Sequence, residues 1–181
     1  GGSCPCYIGG GPQIRLQAGT TYQLILHNTA SETTNLHTHG LHIVGDGNGD
    51  DVTREVEPDH CLSYEWDLKA DHPGGTYWYH GHHHGSAERQ VGGGAYGMLI
   101  VEDNQSNAPS WAQNELLLQV VEKFGVVKGN GKDEDTFVLL AEQWYRLRVS
   151  FVSMDGIPRE FRFDGMSMDC DIHKVATDGV W

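Results

Sequence analysis

The sequence TYWYHGHHHG (residues 76–85) contains the pattern on which the fold and site predictions rest. Successive side chains of a β-strand point to opposite faces of the sheet. As a strand, this segment would place Tyr77 and Tyr79 on one face and the imidazoles of His80 and His82 on the other. Two imidazoles at positions i and i+2 of one strand face are well placed to share a metal ion.

A second histidine pair with the same spacing lies upstream, in the sequence LHTHG (residues 36–40). If the two strands lie side by side, His37 and His39 converge with the first pair and form a cluster of four imidazoles. One such pair is usually a feature of the protein surface, but two pairs in strand-like segments favour a metal site. Neutral imidazole binds copper, zinc, iron and nickel, so the ligand type alone leaves the metal undecided.

The composition indicates an all-β protein without a nucleic-acid or membrane partner. The 181 residues include 24 glycines and 5 tryptophans and carry a net charge of −13. This charge opposes binding to nucleic acids and anionic membranes and favours the approach of metal cations, although solubility alone also explains it. No apolar stretch approaches the ~18 residues that a membrane span requires.

Short, closely spaced strands predict an antiparallel Greek-key β-sandwich over residues 12–103. Leu62, Tyr64 and Trp66 alternate with polar residues, as expected for a strand with one buried face. The glycine- and aspartate-rich residues 44–51 are expected to form a loop, and they lack the spacing of a calcium-binding loop.

The chain is predicted to contain two domains joined by a linker. We expect a first domain at residues 1–104, a linker at 105–114 and the N-terminal part of a second domain at 115–181. A strand is predicted over residues 144–152. Its apolar side chains would face inward and its two arginines outward: Tyr145, Leu147, Val149 and Phe151 against Arg146 and Arg148.

The other histidines are expected to be surface or structural residues rather than ligands. His42 and His83 are out of phase with the two pairs, and Gly85 is expected to end the strand near His84. We expect His60 and His72 to be solvated. His27 and His173 are likewise not expected to bind metal.

The four cysteines, Cys4, Cys6, Cys61 and Cys170, are too few and too scattered for a disulfide-rich scaffold or a zinc ribbon. A bond between Cys4 and Cys6 would be strained, because one residue separates them. Pairing of one of them with Cys61 in an oxidising compartment and free thiols both remain open.

The sequences NLHTHGLHI, HPGGTYWYHGHHHG and QVGGGAYGMLIVED resemble the first cupredoxin domain of the multicopper oxidases, the laccase-like family. The similarity extends from about Pro12 to Asp103. It resumes more weakly from Glu115, where QWYRLRVSFVS and VATDGVW resemble early strands of the second cupredoxin domain. The resemblance therefore implies a cupredoxin-like sandwich followed by part of a second one.

The resemblance also implies copper and a role for each histidine of the two pairs. Multicopper oxidases hold a type 1 copper and a trinuclear cluster between their first and last cupredoxin domains. Carried over, the first motif makes His37 a type 2 ligand and His39 a type 3 ligand. The second motif makes His80 and His82 type 3 ligands, one for each copper.

The C-terminal motifs of the family, with the remaining histidines and the type 1 cysteine, have no counterpart in this sequence, and Cys170 lies in no such context. The chain would supply half of a trinuclear site and would need the missing C-terminal part or another chain. The resemblance implies an extracellular or periplasmic location.

Two functions follow as hypotheses. The first is the N-terminal part of an oxidase that takes single electrons from phenols, amines or metal ions and reduces O₂ to water. The second is a split or degenerate oxidase with a structural, assembly or copper-binding role. Amidohydrolases and metallo-β-lactamases also use His-X-His motifs, but their folds require regular helices between strands.

Overall fold

The structure, a computed structural model, describes residues 10–103, 110–154, 156–157, 159–162 and 171–178. Within them the chain forms strands joined by loops, one short α-helix and a 3₁₀ turn at Ser110–Ala112. The strands and helix are β1 (Ile14–Leu16), β2 (Thr21–His27), β3 (His37–His39), β4 (Cys61–Asp67), β5 (Gly75–His80), α1 (Ala87–Gly92), β6 (Tyr96–Val101), β7 (Glu115–Lys123), β8 (Val126–Gly129) and β9 (Arg146–Ser153). The all-β prediction is confirmed.

Two sheets form a sandwich in the first part of the chain. One has the strand order β1-β6-β5-β3, and the other pairs β2 with β4 in antiparallel register. Their facing side chains form the core, which includes Tyr64 and Trp66 of β4 and Tyr77 and Tyr79 of β5. Alternation therefore predicts the buried faces of both β4 and β5 correctly.

The strand arrangement differs from the prediction in one respect. β1 pairs with β6 in parallel, with Ile14 opposite Leu99 and Leu16 opposite Val101. The predicted β-sandwich is confirmed, but this parallel pair departs from the antiparallel arrangement that was expected. Local alternation carries no information on strand direction, because parallel and antiparallel strands have the same side-chain period.

A third sheet, with the order β8-β7-β9, packs against the outer face of the sandwich. The backbone N–H of Met98 in β6 donates to Oε1 of Gln119 in β7, at 3.2 Å. Arg148 of β9 donates from a terminal guanidinium nitrogen to Oγ1 of Thr76 in β5, at 2.8 Å. The core face of β5 is thus covered by the second sheet of the sandwich. The opposite face is covered near the start of the strand by the third sheet.

The predicted orientation of β9 is wrong. Arg146 and Arg148 are 7% and 4% exposed, whereas Val149 is 38% exposed. Both arginines contact carboxylates: Arg146 lies 2.6 Å from Asp103, and Arg148 lies 2.8 Å from Glu115. Each buried guanidinium group is paired with a carboxylate, so its charge is compensated. This compensation explains how charged side chains occupy the inner face.

Glu115 is the centre of this ion network. Burial alone would raise its pKa, but hydrogen bonds from Arg148, Arg15 and Arg146 lower the pKa of Glu115 to about 2. The carboxylate therefore stays charged over the physiological pH range. It connects β1, β7 and β9, since Arg15 also donates to its second oxygen at 3.0 Å.

The domain boundaries remain a prediction. Residue 104 and residues 105–109 of the predicted linker lie outside the described residues, as do Cys4, Cys6 and Cys170. Cys61, at the start of β4, is a free and exposed cysteine.

Replacing Arg148 with leucine should destabilise the protein strongly, because Glu115 would lose a buried partner. The expected loss in the free energy of unfolding is about 3 kcal/mol. Urea unfolding of the Arg148→Leu variant against the wild type measures it. Arg162→Leu is the control, because Arg162 pairs with Glu160 at the surface and should contribute less than about 1 kcal/mol. Equal losses in the two variants would contradict the role of the buried network.

A candidate metal site of four histidines

The antiparallel pairing of β3 with β5 brings the two histidine motifs together. His37 lies opposite His80, and His39 lies opposite Trp78. The imidazole centroid of His37 is 5.1 Å from that of His80 and 6.1 Å from that of His39. The centroid of His82 is 5.1 Å from that of His37 and 5.7 Å from that of His80. All four predicted residues therefore lie in one cluster on the face opposite the core.

Three of the rings already have the spacing of a shared metal site. One nitrogen from each of His37, His39 and His80 lies within 4.8 Å of the others. His82 is the exception. β5 ends at His80, so His82 follows the strand rather than extending it, and its side chain is exposed. The expectation that the strand continues to His82 is wrong, although its ring does reach the cluster.

His80 is the most deeply placed ring. Its Nδ1 lies 3.0 Å from the carbonyl oxygen of Gly81, which leaves Nε2 directed away from the backbone. Trp78 stacks on the same ring, with centroids 4.1 Å apart. Burial lowers the pKa of His80 to about 4, and the neighbouring histidines contribute in the same direction. The ring is therefore neutral at physiological pH, the form that binds metals.

Asp50 also lies at the candidate site, and no pattern in the sequence indicates it. Its Oδ2 lies 2.8 Å from Nδ1 of His37, although the two groups are not aligned as a hydrogen bond. Its Oδ1 accepts a hydrogen bond from the backbone N–H of Thr38, at 2.8 Å. The glycine-rich loop thus brings a carboxylate behind one ring of the cluster. A carboxylate in that place orients a ligating histidine and leaves the other ring nitrogen for the metal.

The neighbouring histidines make structural contacts. Nδ1 of His83 lies 2.9 Å from Oγ of Ser86, and its Nε2 lies 3.2 Å from Oε1 of Glu55. His83 is thus held away from the cluster by the residue that precedes α1 and by a loop carboxylate.

His72 differs from its predicted state. It is 7% exposed, and its Nε2 accepts the backbone N–H of His42 at 3.0 Å. Its Nδ1 lies 2.9 Å from the carbonyl oxygen of Pro73. The prediction that His72 is solvated is therefore wrong, since the ring fills a space between two loops and bonds to both.

The donor set fits copper. Four imidazoles, at least one of them neutral because of burial, form a nitrogen-rich site that suits copper, as it also suits zinc, iron and nickel. Within the described residues, no other cluster of at least three histidine, cysteine or carboxylate groups has metal-binding spacing. The fold and the cluster together define a β-sandwich with a candidate metal site of histidines.

Comparison with known proteins identifies the family. A family model described as multicopper oxidase matches residues 9–106, more than half of the 181 residues. The chain belongs to the multicopper oxidase family, and membership implies copper as the metal.

Two individual proteins and one solved structure illustrate this similarity. The chain is 31% identical over 131 residues to "Multicopper oxidase mco" of Staphylococcus epidermidis, covering 69% of this chain and 29% of that protein. It is 35% identical over 96 residues to "Copper resistance protein A" of Escherichia coli, covering 51% of this chain and 14% of that protein. The crystal structure of a multi-copper oxidase from Pseudomonas Thermotolerans matches with a TM-score of 0.65 and 24% identity, covering 79% of this chain and 39% of that one. That likeness shows the fold.

The chain thus spans less than a third of the length of the staphylococcal relative. In the described part of the chain, no helix combines the length and apolar character needed to cross a membrane.

Metal-free protein should lose stability as the pH falls from about 6.5 to about 4, because His80 resists protonation only when folded. The unfolded ring takes up its proton first, so the free energy of unfolding decreases as the pH falls through this window. The decrease is at most about 3 kcal/mol. Urea unfolding at pH 7 and pH 4.5 should show a smaller pH dependence for His80→Gln than for the wild type. An identical difference between the two pH values in both proteins would contradict this assignment.

Proposed function

We propose that this chain supplies half of the ligands of a trinuclear copper cluster in a laccase-like oxidase. His37 serves as a type 2 ligand, and His39, His80 and His82 serve as type 3 ligands. The observation that supports this proposal is the convergence of four imidazoles on two paired strands, with neighbouring centroids 5.1–6.3 Å apart. Family membership supports copper as the metal.

The bound copper ions would supply the redox chemistry, in which O₂ is reduced to water with electrons taken singly from a reducing substrate. The residues of this chain would position the copper ligands. The paired strands hold the imidazoles in place before the metal arrives, which limits rearrangement during electron transfer. The carboxylate of Asp50 orients the ring of His37, and the stacked indole of Trp78 covers one face of the buried His80 ring.

The substrate class proposed is a small reductant: a phenol, an amine or a metal ion. The remaining copper ligands would come from the C-terminal part of the oxidase or from another polypeptide. Exposed apolar side chains in the second part of the chain support such a partner, among them Phe124 at 90%, Val138 at 86% and Trp144 at 57% exposure. Buried apolar surface favours association, so these residues are suited to contact another chain segment. An extracellular or periplasmic location is part of this proposal.

Copper titration of the isolated chain tests the ligand set. The wild type should bind about one or two copper ions without an intense blue colour, because that colour needs a cysteine thiolate among the ligands. His80→Ala should reduce the copper stoichiometry. His83→Ala is the matched control, because its ring contacts Ser86 and Glu55.

Oxygen consumption on a phenol completes that experiment. The isolated chain should show no sustained consumption, because it supplies only half of the cluster. Sustained turnover would contradict the half-site proposal. A wild-type chain that binds no copper would favour the structural or assembly role instead.

Asp50→Asn should weaken copper binding without abolishing it. The amide can still accept the Thr38 N–H, but it lacks the negative charge beside Nδ1 of His37. Loss of such an orienting partner typically lowers metal affinity by about 10- to 100-fold. Competition with a chelator of known copper affinity measures the change. Asp51→Asn, which alters a contact with Thr53, should leave the affinity unchanged. Equal affinities for the wild type and Asp50→Asn would argue against an orienting carboxylate.

A further inference from the structure

We infer that Asn35 is a positioning residue that holds His82 within the ligand cluster by binding its backbone N–H. The expected effect of Asn35 on copper binding rests on the proposed function. The effect of Asn35 on the position of His82 concerns the metal-free chain and can be tested separately.

His82 needs support from outside the sheet. The other three rings are carried by β3 and β5, whose ladder includes His37, His39 and His80. The N–H of Gly81 donates to the carbonyl oxygen of Ala95, at 2.9 Å, beyond the end of β5. The next N–H, that of His82, donates at 2.8 Å to the side-chain Oδ1 of Asn35.

The orientation of the Asn35 amide follows from its partners. Its Nδ2 donates to the carbonyl oxygen of Val52, at 2.8 Å, while its Oδ1 accepts from His82. A backbone N–H only donates and a carbonyl only accepts, so the reversed amide could form neither bond. The residue is 3% exposed, so water does not readily replace either partner.

Asn35 is itself held on both sides. Thr34 forms a β-bridge with Val56, and the N–H of Leu36 donates to the hydroxyl oxygen of Tyr64, at 2.9 Å. Tyr64 is a core residue with 1% exposure. The side chain of Asn35 therefore projects from a rigid segment, and the position it imposes on His82 is well defined.

This one amide connects three parts of the site. Asn35 lies two residues before His37, and Val52 lies two residues after Asp50 in the loop that contacts His37. The third part is the segment carrying His82. Placement of His82 is thereby tied to the motif that contains His37 and His39, although Asn35 and His82 are 47 positions apart in the sequence.

Asn28 offers a matched control. It is also 3% exposed and also bridges backbone groups, since its Nδ2 donates to the carbonyl oxygens of Glu32 and Val56. Its Oδ1 accepts from the N–H of Ala30, at 3.0 Å, and its side-chain hydrogen bonds do not involve the histidine motifs. Asn28→Ala should therefore destabilise the protein as Asn35→Ala does, without releasing His82.

Amide hydrogen exchange in the metal-free 181-residue chain, resolved by NMR, tests the inference. In Asn35→Ala the His82 amide should exchange about tenfold faster than in the wild type, relative to core amides that report global stability. In Asn28→Ala that relative rate should be unchanged. Asn35→Asp keeps an oxygen acceptor for His82 but loses the donor to Val52, so it should retain most of the His82 protection.

Copper titration supplies the second measurement. Asn35→Ala should bind Cu²⁺ about 10- to 100-fold more weakly than the wild type, whereas Asn28→Ala should not. Unchanged His82 exchange in Asn35→Ala overturns the inference whatever the copper result. If the wild type binds no copper, the proposed function fails, and the exchange rates alone decide whether Asn35 positions His82.

Discussion

The antiparallel pairing of β3 with β5 is the constraint on which the candidate site depends. It sets His37 opposite His80 and His39 opposite Trp78. Because side chains alternate with a period of two, a slip of one residue would turn one motif toward the core. The apolar side of β5 opposes that slip, since its two tyrosines are buried against the second sheet. The residues that stabilise the sandwich therefore also orient the histidines, and the fold and the site share one determinant.

The sequence predicts what is local to a strand. Alternation identifies the buried faces of β4 and β5 and places His37, His39 and His80 on one face, because the pleat alone determines these directions. It fails for β9, where Arg146 and Arg148 are inside. Their burial depends on Asp103 and Glu115, which approach only once the third sheet has packed, and no pattern within β9 indicates them. The same reason explains why the parallel pairing of β1 with β6 could not be predicted.

The residues that support the candidate site could not be recognised from the sequence. Asp50 and Asn35 contact distant backbone or ring atoms, and both residue types are common in loops. A glycine-rich acidic loop is usually solvated, so nothing distinguishes Asp50 from its neighbours until the fold brings it to His37. Histidine spacing thus predicts which imidazoles come together, whereas the tertiary structure decides which other residues contact them.

The position of Trp78 offers a way to detect copper at the candidate site by tryptophan fluorescence. Its indole stacks 4.1 Å from the His80 ring and lies 5.3 Å from that of His39, measured between centroids. A paramagnetic Cu²⁺ ion held by those two rings would lie close enough to the indole to quench its fluorescence. Metal occupancy of this β-sandwich would therefore be visible in the intrinsic emission of the protein, without a dye or a coloured copper centre.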